Sequence, residues 1–411
     1  MKKLYINTIL NNKIQNVLVE EDIITYIGNE FKSADKIIDA KHSYIMPGII
    51  DPHTHIRDMG QADKEDWLSA SKAAMKGGVT MLFDMPNTKP PTVDLNTLNQ
   101  KRKAAKKSLV KYRFNVAATS VNYDKVVEIL QSKPDDVAAL KMFFAGSNSN
   151  EFVNDLEVIK RYFELSLKFD IPVIIHTEWQ DCVAKYSADF SNPTIFDHNL
   201  MRHRECAVKG TEIALKLAGE IGNKIVNAHT SVAEELDLIR QYKKKVNVFC
   251  EVTPHHLLIN EDILEKVGNF GKVNPPLRTS KDNEALWEGI NDGTVDFIGT
   301  DHAPHKISEK LLAFDKAPSG FPGLETNLRL MLNEVNKGNL SLKRLIELTS
   351  TNVARVFDLQ AYGKIEKGYY ADFIFINLDK KWEIKAADFE SKAKYTPFEG
   401  FTGKGDLIMI N

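Results

Sequence analysis

Hydrophobic and polar positions follow one alternation from residue 48 to about residue 357. Apolar, β-rich runs are separated by longer stretches in which Leu, Ile, Val and Ala recur every three or four positions, as on one face of a helix. The eight strand-like runs are GIIDPHTH, VTMLFDM, YRFNVAA, AALKMFF, IPVIIH, KIVNAH, VNVFCE and VDFIGT. Helical periodicity is found at 66–76, 94–108, 151–168, 204–221 and 231–244.

This alternation predicts an α/β fold, and we favour a (β/α)8 TIM barrel. Strands that are apolar throughout need cover on both faces, as in a barrel with helices outside and packed side chains inside. An open, doubly wound sheet is the alternative, and periodicity alone does not exclude it. The polar residues favour the barrel, because they follow the ends of the apolar runs, where barrel enzymes carry their chemistry.

Both ends of the chain have β character. Residues 1–47 contain the short runs LYINTIL, NVLV, IITYIG and SYIM, separated by Asn, Asp and Gly. After a helical stretch near 341–357, the tail GKIEKGYYADFIFINLDKKWEIK returns to the same pattern. We therefore predict a small β-sandwich domain formed by residues 1–47 and 358–411, and a barrel at 48–357.

Charge and composition narrow the function. Lys plus Arg (54) nearly balances Asp plus Glu (56), so the net charge of -2 provides no basic field for nucleic acid or for a membrane surface. The run KRKAAKKS at 101–108 lacks aromatic residues and predicts a solvated helix face. The three cysteines, Cys182, Cys206 and Cys250, are far apart and form no CxxC pair, so we expect no disulfide framework. No run of 18 apolar residues occurs, and the first residues lack the apolar core typical of a signal peptide, so we expect neither a transmembrane helix nor a signal peptide. We expect a cytoplasmic protein with a small-molecule substrate.

The first chemical signal is DPHTH, where His53 and His55 lie two residues apart at the end of an apolar run. Strand alternation places both imidazoles on one face, which in a barrel is the interior. Two converging neutral imidazoles form half of a site for a borderline metal such as zinc. The alternative is a pair of hydrogen-bonded core histidines.

Three further residues end apolar runs at the same side of the predicted barrel: His176, His229 and Asp301. Each alone has a structural interpretation. Together with the first pair they supply four imidazoles and one carboxylate, enough for two metal ions.

Lys141 lies inside the apolar run AALKMFF. Burial there favours the neutral amine, which can add carbon dioxide to form a carbamate with one oxygen for each of two metals. The alternatives are a lysine that extends to the barrel rim and a Schiff-base lysine.

Together these residues resemble the metal-dependent cyclic amidohydrolases and, among them, the dihydroorotases, over nearly the whole chain. The HxH element is typical of the wider superfamily, whereas Arg57, Asn87 and the NPPLR stretch are typical of dihydroorotases. The motifs that carry the resemblance are MPGIIDPHTHIRDMGQ, GGVTMLFDMPNT, ALKMFFAGSN, IIHTE, VNAHTS, EVTPHHL, VNPPLR, GTDHAPH, APSGFPGLET, GKIEKGYYADF and KYTPFEG.

The resemblance implies two Zn2+ per subunit. One would be held by His53, His55 and Asp301 and the other by His176 and His229, with carboxylated Lys141 and a hydroxide as bridges. Asp301 would also be catalytic, accepting a proton from the attacking water and returning it to the leaving nitrogen.

The resemblance also implies the reaction and its partners. A dihydroorotase hydrolyses (S)-dihydroorotate reversibly to N-carbamoyl-L-aspartate in pyrimidine biosynthesis. The substrate carboxylate would be held by Arg57, Asn87 and His305, while Asn274 would contact the ring. The resemblance further suggests a homodimer and association with aspartate transcarbamoylase.

One departure and two alternative functions remain. Met59 stands where dihydroorotases usually have proline, which we expect to loosen the loop that aims Arg57.

A hydantoinase, dihydropyrimidinase or allantoinase would share the metals but not the carboxylate clamp. An inactive dihydroorotase-like subunit would lose ligand histidines, whereas this chain contains each expected ligand. We interpret His255 and His256 as loop structure or as residues that support the metal ligands, and the segment between His305 and Gly323 as a mobile lid.

Overall fold

The structure is a computed structural model that describes residues 1–146 and 152–411. Its strands are β1 (Lys2–Leu10), β2 (Lys13–Glu20), β3 (Ile23–Gly28), β4 (Lys36–Asp39), β5 (Tyr44–Pro47), β6 (Ile49–Thr54), β7 (Val79–Asp84), β8 (Lys111–Ala117), β9 (Val137–Phe143), β10 (Val173–His176), β11 (Ile225–Asn227), β12 (Val248–Val252), β13 (Phe297–Ile298), β14 (Phe373–Glu383) and β15 (Thr402–Ile410).

The helices are α1 (Trp67–Lys76), α2 (Leu95–Ala105), α3 (Tyr123–Gln131), α4 (Leu156–Phe169), α5 (Gln180–Ser187), α6 (His198–Met201), α7 (Arg204–Ile221), α8 (Ala233–Tyr242), α9 (Pro254–Leu258), α10 (Leu264–Val267), α11 (Ser280–Asp292), α12 (Ile307–Lys310), α13 (Asn327–Lys337), α14 (Leu342–Ile346) and α15 (Asn352–Val356). A π-helical turn, Glu347–Thr351, joins the last two. Within the described part of the chain, no helix is both long and apolar enough to cross a lipid bilayer.

Strands β6 to β13 form the predicted barrel. Each pairs in parallel with the next in chain order, giving one eight-stranded sheet. The two edges meet at a parallel bridge between Thr54 and His302, where His55 N donates to the His302 carbonyl at 2.8 Å. The TIM barrel prediction is confirmed, and the open, doubly wound sheet is wrong.

The continuous apolar runs reflect burial on both faces of each barrel strand. Along β6, Ile49 packs in the layer between the sheet and the helices, whereas Ile50 points into the barrel interior. Leu82 and Phe83 of β7 divide between the two layers in the same way. Because both layers are apolar, the strand period of two is hidden in the sequence.

Two barrel helices begin close to the predicted positions because a side chain caps each one. Asp66 accepts a hydrogen bond from Ser69 N at the start of α1, and Asp94 accepts one from Thr97 N at the start of α2. Helix α7 ends at Gly222, which has a φ of 89° that glycine adopts without strain. Local capping therefore sets several helix bounds that periodicity leaves open.

The chain termini build a second sheet of seven strands. Its order is β15-β14-β5-β1-β2-β3, and β4 also pairs with β1. Strand β4, with the sequence KIID and a mostly exposed surface, was missed because it has no apolar alternation. Strand β5 ends at Pro47 and β6 begins at Ile49. The joint terminal sheet agrees with the predicted fold class, while the numbered division into 1–47, 48–357 and 358–411 stays a prediction.

The cysteines differ from the expectation. The structure joins Cys182 of α5 to Cys206 of α7 in a disulfide, with their Cα atoms 5.3 Å apart. Only Cys250 is a free thiol, and burial raises its pKa to about 12. The 24-residue spacing gave no motif, because two neighbouring helices bring these residues together.

The predicted solvated face of α2 is also partly wrong, because Lys101 is buried. Its Nζ lies 2.7 Å from Asp84 Oδ2 and donates to the Met85 carbonyl at 2.8 Å. The other Asp84 oxygen accepts from Ile56 N at 2.7 Å. This ion pair therefore links α2 to the end of β7 and to the chain segment between His55 and Arg57.

We expect Lys101→Met to destabilise the protein, because the buried Asp84 would lose its ionic partner. Breaking a buried pair on one side costs roughly 3–5 kcal/mol. The measurement is the thermal unfolding midpoint of purified variants. Lys103→Met is the matched control, since Lys103 is exposed on the same helix. Equal midpoints for the two variants would contradict a stabilising role for the pair.

Candidate metal centre and active site

The predicted site residues meet at the carboxyl ends of the barrel strands. Of the ten predicted side chains, eight line one cavity, Lys141 lies buried in β9, and His305 lines the adjoining cavity. The eight are His53, His55, Arg57, Asn87, His176, His229, Asn274 and Asp301. Parallel strands bring their carboxyl ends to one mouth, which explains how residues far apart in sequence converge.

His53, His55 and Asp301 form a group that can hold a metal ion. One ligand atom from each lies within 4.8 Å of the others, and all three residues are buried. Asp301 Oδ1 lies 3.0 Å from His55 Nε2 and 3.3 Å from His53 Nε2. Two imidazole nitrogens and one carboxylate oxygen suit a borderline divalent cation such as zinc.

A second set of donors lies beside this group. His176 Nδ1 and His229 Nε2 are 3.0 Å apart, and the rings of His53 and His229 are 5.3 Å apart. Among the described residues, neither Lys141 Nζ nor His229 Nδ1 has a hydrogen-bond partner, although both atoms are buried. Burial lowers the pKa of Lys141 to about 8. Orphaned nitrogen atoms, and an amine whose pKa is lowered by burial, fit a metal centre better than a satisfied polar core.

Three of the histidines have their second ring nitrogen held by an oxygen acceptor. His53 Nδ1 donates to Glu251 Oε1 at 2.7 Å, and His55 Nδ1 donates to Asn87 Oδ1 at 2.7 Å. His176 Nε2 donates to a carboxylate oxygen of Glu178 at 2.9 Å. These bonds fix each ring and its tautomer, so the opposite nitrogen presents a lone pair to the centre of the site.

The sequence analysis missed Glu178 and Glu251. Glu178 is buried beside Arg202, whose NH2 and Nε lie 2.5 and 2.9 Å from its Oε2. Burial opposes ionisation of Glu178, but Arg202 and His176 outweigh it and hold its pKa below the usual value. Glu251 ends the apolar run VNVFCE, and Glu178 follows the run that ends at His176, in IIHTE. An acidic residue at the end of an apolar run was the signal in the sequence that could have identified both.

Two site residues adopt left-handed backbone conformations. The φ angles of His229 and Asp301 are 36° and 47°. Such angles are uncommon for residues other than glycine and are concentrated at functional sites, where the surroundings hold them. For His229 that support includes a hydrogen bond from its backbone N–H to Glu251 Oε1 at 3.0 Å.

Arg57 is buried in the wall of the same cavity. Its Nε lies 3.4 Å from the Pro304 carbonyl and its NH2 lies 3.3 Å from His305 Nε2. Among the described residues it forms no ion pair, and its acidic neighbours act on it only at longer range. A buried guanidinium without a paired carboxylate is costly, so this side of the cavity is suited to an anion.

The two predicted amide contacts are both at the cavity wall. Since Asn87 Oδ1 accepts from His55, its NH2 group remains as a donor. Asn274 Oδ1 accepts from His198 Nε2 at 2.9 Å, which gives His198 a site contact that the sequence did not suggest.

The loop after Arg57 is held without the usual proline. Met59 has a φ of 80°, which the ring of proline would forbid. The Asp58 carboxylate accepts from Met59 N at 2.6 Å and from Trp67 N at 3.3 Å. Gly60 N donates to the Lys89 carbonyl at 2.7 Å. The loop expected to be loose therefore has its own fixed geometry.

The adjacent histidines of α9 differ in their contacts. His256 is held by the Thr253 hydroxyl at 2.8 Å and by the Pro275 carbonyl at 3.1 Å, as a structural residue would be. His255 is buried, and its ring packs at 4.9 Å from that of Phe321. Of the two, only His256 has the hydrogen bonds expected of a structural residue.

Comparison with known proteins places these observations in context. The sequence profile described as the amidohydrolase family matches residues 44–410. A dihydroorotase from Methanosarcina mazei is 37% identical over 409 residues, which cover 95% of this chain and 88% of that protein. A dihydroorotase from Methanosphaera stadtmanae is 36% identical over 406 residues, covering 97% and 92% of the two chains.

The similar solved structures include hydantoinases. The L-hydantoinase (dihydropyrimidinase) from Arthrobacter aurescens matches with a TM-score of 0.94 at 27% identity, covering 100% of this chain and 94% of that chain. The dihydropyrimidinase from Brevibacillus agri matches with a TM-score of 0.92 at 26% identity, with the same coverage.

We expect Glu251→Gln to weaken metal binding, because the amide is a poorer acceptor for His53 Nδ1–H. Replacing such a partner typically costs about 10- to 100-fold in metal affinity. The measurement is competition with a chelator, with circular dichroism as the test of folding. Glu325→Gln is the control, since Glu325 is buried but accepts from Ser391 N, away from the histidines. Identical metal affinity in the two variants would refute the role of Glu251.

Proposed function

The chain belongs to the amidohydrolase family, and we propose that it is a dihydroorotase that hydrolyses the ring of (S)-dihydroorotate to N-carbamoyl-L-aspartate. The same step, run in reverse, closes the ring in pyrimidine biosynthesis. A hydrolase acting on cyclic amides follows from the family and from the relatives. The choice of ring depends on the side chains around the cavity.

The observation that carries this proposal is the buried guanidinium of Arg57, which forms no ion pair with any described residue. Dihydroorotate has a carboxylate on its ring, whereas hydantoin and dihydrouracil do not. A carboxylate matches the planar donor fork of arginine. His305 and the NH2 group of Asn87 add donors at the same side of the cavity. An uncharged ring would leave the cost of burying Arg57 uncompensated.

The clamp also orients the substrate. Arg57 and Asn87 line the same cavity as His176 and His229. With its carboxylate held at the clamp, the ring is turned so that its amide carbonyl faces the histidine cluster. Holding both reacting groups in this way lowers the entropic part of the barrier.

The donor set described above would hold the metal. His53, His55 and Asp301 would form one half of the site, and His176 and His229 the other. The charges of Glu251 and Asp301 act on the buried Lys141 amine. A divalent metal held there would supply Lewis-acid chemistry, that is, it would acidify a water molecule and polarise the amide carbonyl.

Asp301 is placed to move the proton. Burial opposes ionisation of Asp301, but His53 and His55 outweigh it and hold its pKa below the usual value, so the carboxylate is ionised at neutral pH. In the proposal it accepts a proton from the attacking water. As the C–N bond breaks, it returns that proton to the amide nitrogen, which leaves as a neutral amide of the carbamoyl group.

The finer features of the proposal are two Zn2+ per subunit and carboxylation of Lys141. The buried Lys141 Nζ, without a hydrogen-bond partner among the described residues, supports a modified amine, because an unsatisfied ammonium would be costly there. A homodimer, association with aspartate transcarbamoylase and a cytoplasmic location belong to the same proposal through the resemblance.

We expect zinc-loaded protein to consume dihydroorotate, followed by ultraviolet absorbance, and chelator-stripped protein to lose that activity. Restoring zinc should restore turnover, because the histidine cluster supplies no catalytic cation of its own. Hydantoin is assayed in parallel as the ring without a carboxylate.

The outcomes separate the candidate functions. Turnover of hydantoin alone would keep the metal centre and refute the carboxylate clamp. Metal-loaded protein without activity on either ring would favour the inactive subunit. Activity that persists fully after metal removal would refute the metal centre.

We expect Arg57→Met to lose activity on dihydroorotate while sparing an uncharged ring. Losing one partner of a buried charged pair costs about 2–5 kcal/mol, which corresponds to roughly 30- to 5,000-fold in kcat/KM. Dihydrouracil is the matched substrate, because it has the same ring without the carboxylate. The measurement is the ratio of kcat/KM for the two substrates in both proteins. A ratio unchanged by the substitution would contradict the clamp.

A further inference from the structure

A second cavity, of about 410 Å³, adjoins the site on the side of the clamp. It shares Arg57 and Asn87 with the metal-side cavity and is also lined by His305, Lys64 and Lys272. It is the space beside which a ring carboxylate held at the clamp would lie. The mechanism above gives no role to Lys64, whose side chain is only 12% exposed in this wall.

The ammonium of Lys64 contacts the clamp directly. Its Nζ lies 3.2 Å from His305 Nδ1 and 2.8 Å from Glu309 Oε1. An ammonium has only protons to donate, so His305 Nδ1 must present its lone pair. Glu309 Oε2 lies 3.8 Å from the same nitrogen, which is too far for it to accept a proton from Nδ1.

The other ring nitrogen of His305 faces an acceptor. Its Nε2 lies 3.1 Å from the Ser319 carbonyl, and a carbonyl has no proton to donate. Burial and the nearby charges of Arg57 and Lys64 hold the pKa of His305 well below its usual value, so the ring is neutral and has one proton. Lys64 and the Ser319 carbonyl therefore both favour the tautomer with that proton on Nε2, whereas Arg57 NH2 alone would favour the other tautomer.

The Ser319 carbonyl is itself fixed. Lys310 is buried, and its ammonium donates to the carbonyls of Pro318 and Gly320, on either side of Ser319, at 2.9 and 3.0 Å. Lys272 donates to the carbonyls of Phe314 and Ala317 at 2.6 and 2.7 Å. The segment 305–323, predicted as a lid, is thus fastened by two lysines, which indicates a rigid wall for the clamp.

In this tautomer two donors lie side by side with no proton acceptor between them. Arg57 NH2 is 3.3 Å from His305 Nε2, and neither nitrogen has a lone pair for the other. An anionic oxygen placed near both could accept from the guanidinium and share the imidazole N–H with the Ser319 carbonyl, which lies 3.1 Å from the same nitrogen. With the proton on Nδ1 instead, Nε2 would accept from Arg57 and the clamp would satisfy itself without substrate.

We propose that Lys64 is a positioning residue for carboxylate recognition: its ammonium keeps the proton of His305 on Nε2, so that Arg57 and His305 act as paired donors to the substrate carboxylate. This inference rests on the proposed function and deepens it. The role concerns the charged substituent of the ring, since within residues 1–146 and 152–411 the polar contacts of the Lys64 ammonium are with His305 and Glu309, and Lys64 is not among the residues that line the cavity of the histidine cluster.

The kinetic test compares Lys64→Met, Lys64→Arg and Lys316→Met in the zinc-loaded enzyme. Lys316 is exposed at the rim of the same cavity and is the matched control for loss of one positive charge. The substrates are dihydroorotate and its methyl ester, which keeps the ring but loses the anionic oxygen.

We expect Lys64→Met to raise KM for dihydroorotate about 10- to 100-fold, the loss expected for one hydrogen bond to a charged group. We expect kcat and the KM of the ester to stay within about twofold. Lys64→Arg should restore much of the affinity, because guanidinium also only donates. Equal KM values for Lys64→Met and Lys316→Met, or an equal loss for acid and ester, would overturn the proposal.

A second measurement needs no turnover. In protein labelled with 15N-histidine, NMR reports which nitrogen of His305 has the proton, and the signal that disappears in His305→Gln gives the assignment. We expect the Nε2 proton in wild type and its displacement towards Nδ1 in Lys64→Met. A proton on Nδ1 in the wild type would overturn the role of Lys64. Absence of dihydroorotate turnover by the wild type, measured first, would instead refute the proposed function and with it the recognition of this carboxylate.

Discussion

The rest of the site depends on one kind of interaction, the hydrogen bond that fixes one ring nitrogen of a buried histidine. Three side chains each accept a hydrogen bond from one histidine ring and thereby turn its other nitrogen towards the centre; they are Glu251, Asn87 and Glu178. Glu251 does more, since it also accepts from the backbone N–H of His229. One carboxylate on β12 therefore sets the geometry of His53 in β6 and of His229 just after β11. The metal-binding arrangement is built by acceptors behind the histidines as much as by the histidines.

Charges buried in this barrel divide into two groups by whether they have partners. Lys101 with Asp84 and Arg202 with Glu178 are paired at hydrogen-bond distance, and they fix backbone or rings. Among the described residues, Arg57 and Lys141 have no such partner, yet both are buried beside the site cavity or within its wall. Since an unpaired buried charge is destabilising, the second group indicates ligand recognition and chemistry rather than stability.

The sequence predicted the features that depend on burial and period, and failed where a partner lies far along the chain. Eight apolar runs were enough for the barrel, and the polar residues at their ends were enough to nominate the site. The acceptor of His53 lies 198 residues away, so nothing near DPHTH indicates Glu251. Lys64 and Lys101 look like surface lysines for the same reason, because their burial depends on tertiary contacts. Strand β4 and the Cys182–Cys206 bridge likewise have no local pattern.

Fold likeness alone does not select the substrate, because the solved structures that match this barrel include hydantoinases, whereas the sequence relatives include dihydroorotases. The difference must lie in side chains that the two chemistries do not share. In the proposal, the buried Arg57, with His305 and the Lys64 behind it, forms an anion-binding wall beside a metal centre that any cyclic amide could use. These residues follow β6 and β13 on segments held by Asp58 and Lys310, so carboxylate recognition would be added at the barrel mouth without altering the strands that carry the histidines of the candidate metal centre.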